Sequence, residues 1–250
     1  MKIVIDKNLY DSMADKFPEI EFFTELEQCP DVEALIGHAE EVKTEILEKL
    51  PKLRWVQLPS AGYDMIDTDY IRKRRITLTN AKDVFSIPIA EDVVCKILMH
   101  NTNAFKYLEN KKTRTWDRSL KRTELKGQTI GIIGTGSIAT EIAKRLKPFG
   151  VEILGHKRTP VMAMPYFDEI YSGKNGLEYV LSVSDYVVVT ADLNKSTHHL
   201  INKDNLKFMK KDASIINIAR GSIINQEDLK EALKNNLISY AGLDVFEVEP

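Results

Sequence analysis

Short β-rich runs alternate with amphipathic helical runs along the whole chain, and this alternation restricts the fold to parallel α/β structure. Lys2–Ile5, Glu21–Phe23, Ala34–Gly37, Arg54–Leu58 and Ile76–Thr79 have strand character. Glu41–Leu50 and Asp67–Arg75 have helical character, the second opening on an aspartate suited to N-capping. A long helix is expected over Ile87–Lys111 as a bridge between two units, followed by a basic, polar surface loop over Lys112–Gly127. A second series then begins, with strands at Thr129–Gly134, Val151–Gly155, Asp185–Thr190, Ala213–Ala219 and Tyr240–Phe246. Helices are expected at Ser137–Gly150, ended by Pro148 and Gly150, and at Asn225–Asn236. No repeat or low-complexity tract interrupts this pattern.

Composition narrows the function classes. Hydrophobic residues make up 43% of the 250 and charged residues 29%, enough apolar material for a core without a metal or disulfide scaffold. The net charge of -2 lacks the basic surplus of a nucleic-acid or membrane-surface protein. No run approaches a membrane span, and the apolar run after Lys2 is too short for a signal peptide, so a reducing, cytoplasmic location is expected. Cys29 and Cys95 form no CxxC pair, and Cys95, in an apolar helical run, reads as a core thiol. The five histidines show no metal-ligand spacing; adjacent His198 and His199 should point in different directions, so no metal is expected.

The sharpest local motif is Gly134-Thr135-Gly136-Ser137-Ile138-Ala139, a GxGxxA at a strand end that opens a helix. The first glycine permits the tight turn, the second lets backbone approach a pyrophosphate, and the small third residue lets helix and strand pack closely. The helix N-terminus then offers free N–H groups to phosphate. The next strand tests the cofactor. An NAD enzyme usually places an acid there on the ribose hydroxyls, but this chain has Lys157, Arg158 and Thr159. Two cations and a hydroxyl suit a 2′-phosphate, so NADP(H) is preferred and NAD(H) remains possible. The alternative is that Lys157 and Arg158 are solvated loop charges.

Four segments in order, Gly131–Ala139 (GIIGTGSIA), Ser196–Asn202 (STHHLIN), Ile216–Asn225 (INIARGSIIN) and Ala241–Pro250 (AGLDVFEVEP), closely resemble the D-isomer-specific 2-hydroxyacid dehydrogenases. Leu58–Asp67, Leu78–Asp92 and Glu124–Gly134 resemble the same family, so the likeness covers nearly the whole chain. The resemblance implies two Rossmann-like parallel-sheet domains: a flavodoxin-like substrate domain over 1–92 and an NAD(P)-binding Rossmann domain over 93–250. It implies hydride transfer between nicotinamide and C2 of a small 2-oxo or 2-hydroxy acid, and a homodimer. Arg220 matches the arginine that grips the substrate carboxylate; read alone it could be a surface ion pair. Glu249 matches the acid that pairs with the catalytic histidine, raising its pKa so that it serves as proton donor. Asp244 matches an aspartate near the nicotinamide carboxamide, and Thr190 and Ala219, at strand ends, count among the cofactor contacts. Ser60-Ala61-Gly62 matches a loop whose backbone N–H groups hold the substrate carboxylate. Asn80 and Glu91 are read as structural.

The sequence departs from the family in three places. The catalytic histidine is expected shortly after the Glu-Pro and the chain ends at Pro250, so this histidine and the returning terminal helix are expected to be missing. A chain without that general acid should bind cofactor yet lose about 10²–10⁴-fold in reduction rate. Asp192 stands where the family usually has proline, and the basic trio at 157–159 replaces the acid. The leading reading is an NADP(H)-preferring reductase of glyoxylate, hydroxypyruvate or pyruvate. A non-catalytic, dinucleotide-sensing corepressor-like protein is the alternative, but no extra partner-binding segment is visible. A methyltransferase would need no ARG and Glu-Pro pair.

Overall fold

The computed structural model describes residues 1–26 and 29–249. The chain divides into two compact units, Met1–Phe85 and Ser86–Pro250. The division falls at the first residue of a long helix.

The first unit is built on β1 (Lys2–Ile5), β2 (Glu21–Phe23), β3 (Ala34–Ile36), β4 (Trp55–Gln57) and β5 (Thr77–Thr79). They form one parallel sheet in the order β2-β1-β3-β4-β5, the flavodoxin-like order 2-1-3-4-5. Alternate residues feed two cores. Ile3, Ile5, Ala34 and Ile36 are buried on one face, and Val4, Leu35 and Val56 on the other with Leu47, Leu58 and Ile71. Burial on both faces explains why these strands read as continuous apolar runs. Helix α1 (Lys7–Ala14) follows β1. The helix expected over 41–50 is reduced to α2 (Thr44–Leu47). The Glu41 carboxylate accepts the His38 N–H at 2.8 Å and holds a separate 3₁₀ turn ahead of it. Helix α3 (Thr68–Lys73) starts as expected, with Asp67 Oδ1 accepting the Tyr70 N–H at 2.9 Å.

The second unit opens with α4 (Ser86–Asn101) and α5 (Ala104–Thr113). The single helix expected over 87–111 is broken because Asn103 takes a left-handed backbone (φ 56°), and its Nδ2 donates to the Lys121 carbonyl at 2.6 Å. Helix α4 buries Ala90, Val93, Ile97 and Asn101 along one stripe, which leaves Cys95 on the solvent side; Cys29 is the buried cysteine, and both are free thiols. Strands β6 (Thr129–Ile133), β7 (Glu152–Lys157), β8 (Glu169–Ser172), β9 (Tyr186–Val189), β10 (Ser214–Asn217) and β11 (Tyr240–Leu243) form a second parallel sheet, ordered β11-β10-β9-β6-β7-β8. This is the dinucleotide-binding order 3-2-1-4-5-6 seen from its other edge. Helices α6 (Ser137–Leu146), α7 (Gly173–Val183), α8 (Lys203–Leu206) and α9 (Gln226–Lys234) cover it. The sequence pattern did not disclose β8 or α7: β8 is a half-buried edge strand, and α7 opens on glycine and lysine. No helix among the described residues is long and apolar enough to cross a membrane.

Candidate cofactor and active site

In the second sheet the strand order reverses between β6 and β9, and a crevice at the carboxyl ends of those strands is where such sheets take ligands. The chain leaves β6 at Gly134, whose φ of +96° belongs to the left-handed side that favours glycine. A Cβ there would lie 2.6 Å from the Ala191 backbone nitrogen, so the turn is closed against β9 by backbone alone. Thr190 fastens it by donating its hydroxyl to the Gly134 carbonyl at 3.0 Å. Gly136 caps α6, no side chain among the described residues caps the free N–H groups of that helix end, and no acid lies in its first turn. A Cβ on Gly136 would meet open space, so a ligand can approach the backbone there. The buried Thr135 hydroxyl has no hydrogen-bond partner among the described residues. Unpaired donors, a positive helix end and a cleared approach fit a pyrophosphate-bearing dinucleotide.

A cavity of about 780 Å³ opens beside this turn. Of the sequence-predicted cofactor residues, Gly134, Thr135, Gly136, Lys157, Arg158, Thr159 and Thr190 line it. Ser137, Ile138, Ala219 and Asp244 do not. The Ser137 hydroxyl accepts from Ser86 Oγ at 3.2 Å, and Ile138 packs against the α4–α6 core. Asp244 donates its N–H to the Asn217 carbonyl at 3.0 Å, and its carboxylate lies 3.8 Å from Lys96 Nζ. Sequence reasoning missed Lys174 in the same wall, because β8 was not recognised as a strand. His156 also lines the cavity; it is buried, which pushes its imidazole pKa down.

Arg220 follows β10. Buried Asn217 shapes its turn, with Oδ1 accepting the Ala219 N–H at 3.1 Å and Nδ2 donating to the Arg220 carbonyl at 2.9 Å. The half-buried guanidinium donates from Nη1 to the Ala219 carbonyl at 2.7 Å. A Cβ built on Gly221 would overlap the Phe246 carbonyl, so the segment after β11 runs directly against the arginine turn. Glu249, on that segment, accepts the Phe246 N–H at 3.0 Å. The Glu247 carboxylate lies within hydrogen-bond distance of His199 Nε2 and forms a reciprocal backbone and side-chain pair with Gln226, at 3.3 and 3.2 Å. His199 has a left-handed backbone (φ 49°), so the His198 and His199 rings lie 4.0 Å apart rather than diverging. Among the described residues no histidine contacts Glu249. Pro250 of the Glu-Pro lies outside the described residues.

In the first unit, Ser60, Ala61 and Gly62 form a turn beyond β4. The Ser60 hydroxyl donates to the Gly62 carbonyl at 3.0 Å, and Asn80 Nδ2 donates to the Ala61 carbonyl at 2.7 Å. Asn80 therefore shapes this loop from the end of β5. Glu91, in the second unit, lies 3.5 Å from Arg145 on α6.

The D-isomer specific 2-hydroxyacid dehydrogenase family, NAD binding domain, matches residues 94–250. The chain belongs to this family. A glyoxylate reductase of Pyrococcus horikoshii is 37% identical over 234 residues, covering 90% of this chain and 70% of that protein. A D-3-phosphoglycerate dehydrogenase of Methanocaldococcus jannaschii is 34% identical over 233 residues, covering 90% and 43%. A solved D-isomer specific 2-hydroxyacid dehydrogenase family protein of Aeromonas salmonicida subsp. salmonicida superposes with a TM-score of 0.87 at 28% identity, covering 100% of this chain and 82% of that one. For a D-isomer specific dehydrogenase the cofactor is a nicotinamide dinucleotide and the reaction class is hydride transfer on a 2-hydroxy or 2-oxo acid. The corepressor-like alternative finds no support among these relatives, which carry the names of enzymes.

Proposed function

We propose that the protein is a D-specific reductase of a small 2-oxo acid such as glyoxylate, hydroxypyruvate or pyruvate, with NADPH preferred over NADH. The observation that carries the reading is the wall of the cofactor cavity at the end of β7. Lys157, Arg158 and Thr159 line it where an acid would favour NADH, and neither cation has a carboxylate partner among the described residues. The Pyrococcus relative is a glyoxylate reductase, which supports the substrate class.

When bound, the nicotinamide supplies the hydride to C2 of the acid. Arg220 grips the substrate carboxylate and carbonyl; its planar, permanently charged fork suits both. Glu249 is the carboxylate that holds the protonated form of the general acid. The Ser60–Gly62 turn offers backbone N–H groups to the substrate carboxylate. Thr190 and the Gly134 turn position the cofactor backbone; Ser137, Ile138, Ala219 and Asp244 complete its surroundings.

The second unit also offers a surface for a second copy, supporting a homodimer. Helix α5 buries none of its side chains and leaves Phe105 and Leu108 about half exposed, while Trp116 beyond it is 85% exposed. Light scattering on the purified chain checks this assembly.

Titration with NADPH and with NADH, followed by nicotinamide fluorescence, tests the cofactor reading. Tighter NADPH binding is expected. Tighter NADH binding returns Lys157 and Arg158 to solvated charges. Steady-state reduction of the three acids tests the substrate, and Arg220→Gln should lower kcat/KM by about 10² through loss of charge-assisted bonds.

A further inference from the structure

We infer that Lys174, held in place by His156, is a third cation of the cradle for the adenosine 2′-phosphate and helps set the preference for NADPH. The inference rests on the NADPH reading above.

Strands β7 and β8 pair in parallel with Lys157 opposite Ser172. The chain therefore leaves both strands at the same level of the sheet. β7 runs out into Arg158 and Thr159, and β8 runs out into Gly173 and Lys174, the opening residues of α7. Arg158 and Lys174 line the same cavity as Gly134 and Gly136. The one carboxylate near Lys174 among the described residues is Glu178, 3.9 Å away on its own helix, and the lysine side chain is 86% exposed. Such a pair is weak and screened, so the ammonium is available to a stronger anion. Three cations from two adjacent strand ends thus face one cavity wall.

His156 fixes where Lys174 starts. Its ring is buried at the end of β7, and Nε2 lies 3.0 Å from the Gly173 carbonyl oxygen. A carbonyl only accepts, so Nε2 carries the hydrogen; burial, which disfavours the charged ring, keeps the imidazole neutral. Gly173 has a left-handed backbone (φ 69°), which glycine adopts without steric cost but with more conformational freedom to lose than other residues. The His156 bond restrains its carbonyl. It anchors the peptide directly before Lys174, so less freedom remains to be lost when the lysine meets a phosphate. His156 is therefore a positioning residue, and Lys174 is the group that touches the ligand.

The test measures dissociation constants for NADPH and NADH by nicotinamide fluorescence, with 2′-AMP and 5′-AMP as competitors. Lys174→Ala should weaken NADPH and 2′-AMP about tenfold, the size of one charge-assisted bond, and leave NADH and 5′-AMP within about twofold. His156→Leu should weaken NADPH alone, His156→Gln, which keeps a donor, should restore much of it, and the His156→Leu effect should vanish in the Lys174→Ala background. Retained NADH affinity reports that each variant is folded; a His156 variant that loses NADH as well leaves the Lys174 comparison to decide. If Arg158→Ala weakens NADPH selectively while Lys174→Ala weakens both cofactors equally or neither, the role of Lys174 is overturned and the NADPH reading stands. If the unaltered protein prefers NADH, both are overturned.

Discussion

At the scale of single residues, two glycines do work that no other residue can do, for different reasons. Gly134 needs both a positive φ and the absence of a Cβ beside Ala191. Gly134→Ala should cost about 1–3 kcal/mol in backbone strain alone and lower the melting temperature by several degrees. Calorimetry checks this, and cofactor titration should show weaker binding of both nucleotides, because the turn itself is displaced. Gly221 has an ordinary φ and is needed only because the Phe246 backbone passes where its side chain would be. Gly221→Ala should leave cofactor affinity nearly unchanged while loosening residues 244–249, read as faster amide hydrogen exchange in that segment. The first glycine was legible in the sequence, since a strand, a GxGxxA and a helix are all local. The reason for the second was not, because it depends on where the segment after β11 comes to lie. The same holds for Lys174, which needed the register of β8, and for the His199–Glu247 pair, which joins residues from two loops.

At the scale of elements, most strands lie within a residue or two of their expected limits, because buried parallel strands leave uninterrupted apolar runs. Helices were read less well. The break between α4 and α5 falls at Thr102 and Asn103, with no proline or glycine to announce it, and the left-handed Asn103 is stabilised by a carbonyl 18 residues on. The buried stripe of α4 ends at Asn101, and α5 has none. By contrast, α9 begins where Asn225 announces it: Oδ1 accepts the Asp228 N–H at 3.1 Å. Asn225→Ala should cost about 1 kcal/mol. A fall of about 2–4 °C in the thermal midpoint, with cofactor affinity unchanged, is the expected result.

At the scale of the whole molecule, pH should act on the second unit through two histidines, His100 partly buried and His156 buried. Burial lowers the pKa of His100 and of His156 from the ordinary 6.5. Their unfolded forms take up protons first as pH falls, so below about 6.5 the unfolded state binds more protons and stability declines until the depressed native values are passed. Denaturant midpoints measured from pH 7.5 to 5 should fall, and His156→Gln should fall less steeply. The parallel arrangement of both sheets has a further consequence, in the order of events during synthesis. A parallel pair cannot form from a hairpin, so each strand must wait for a partner that follows a crossover. In the first unit all five strands lie within the first 79 residues, whereas β6 can pair with β7 on one edge but must wait on its other edge for Val189 of β9. On the ribosome the first sheet can close early, while one edge of the apolar β6 stays unpaired through the synthesis of β8, α7 and β9. Topologies dominated by such distant pairings fold slowly and pass through states prone to aggregation. Lower growth temperature should therefore raise the soluble yield of the whole chain far more than that of residues 1–85 alone, a difference that fractionation of expressing cells would measure.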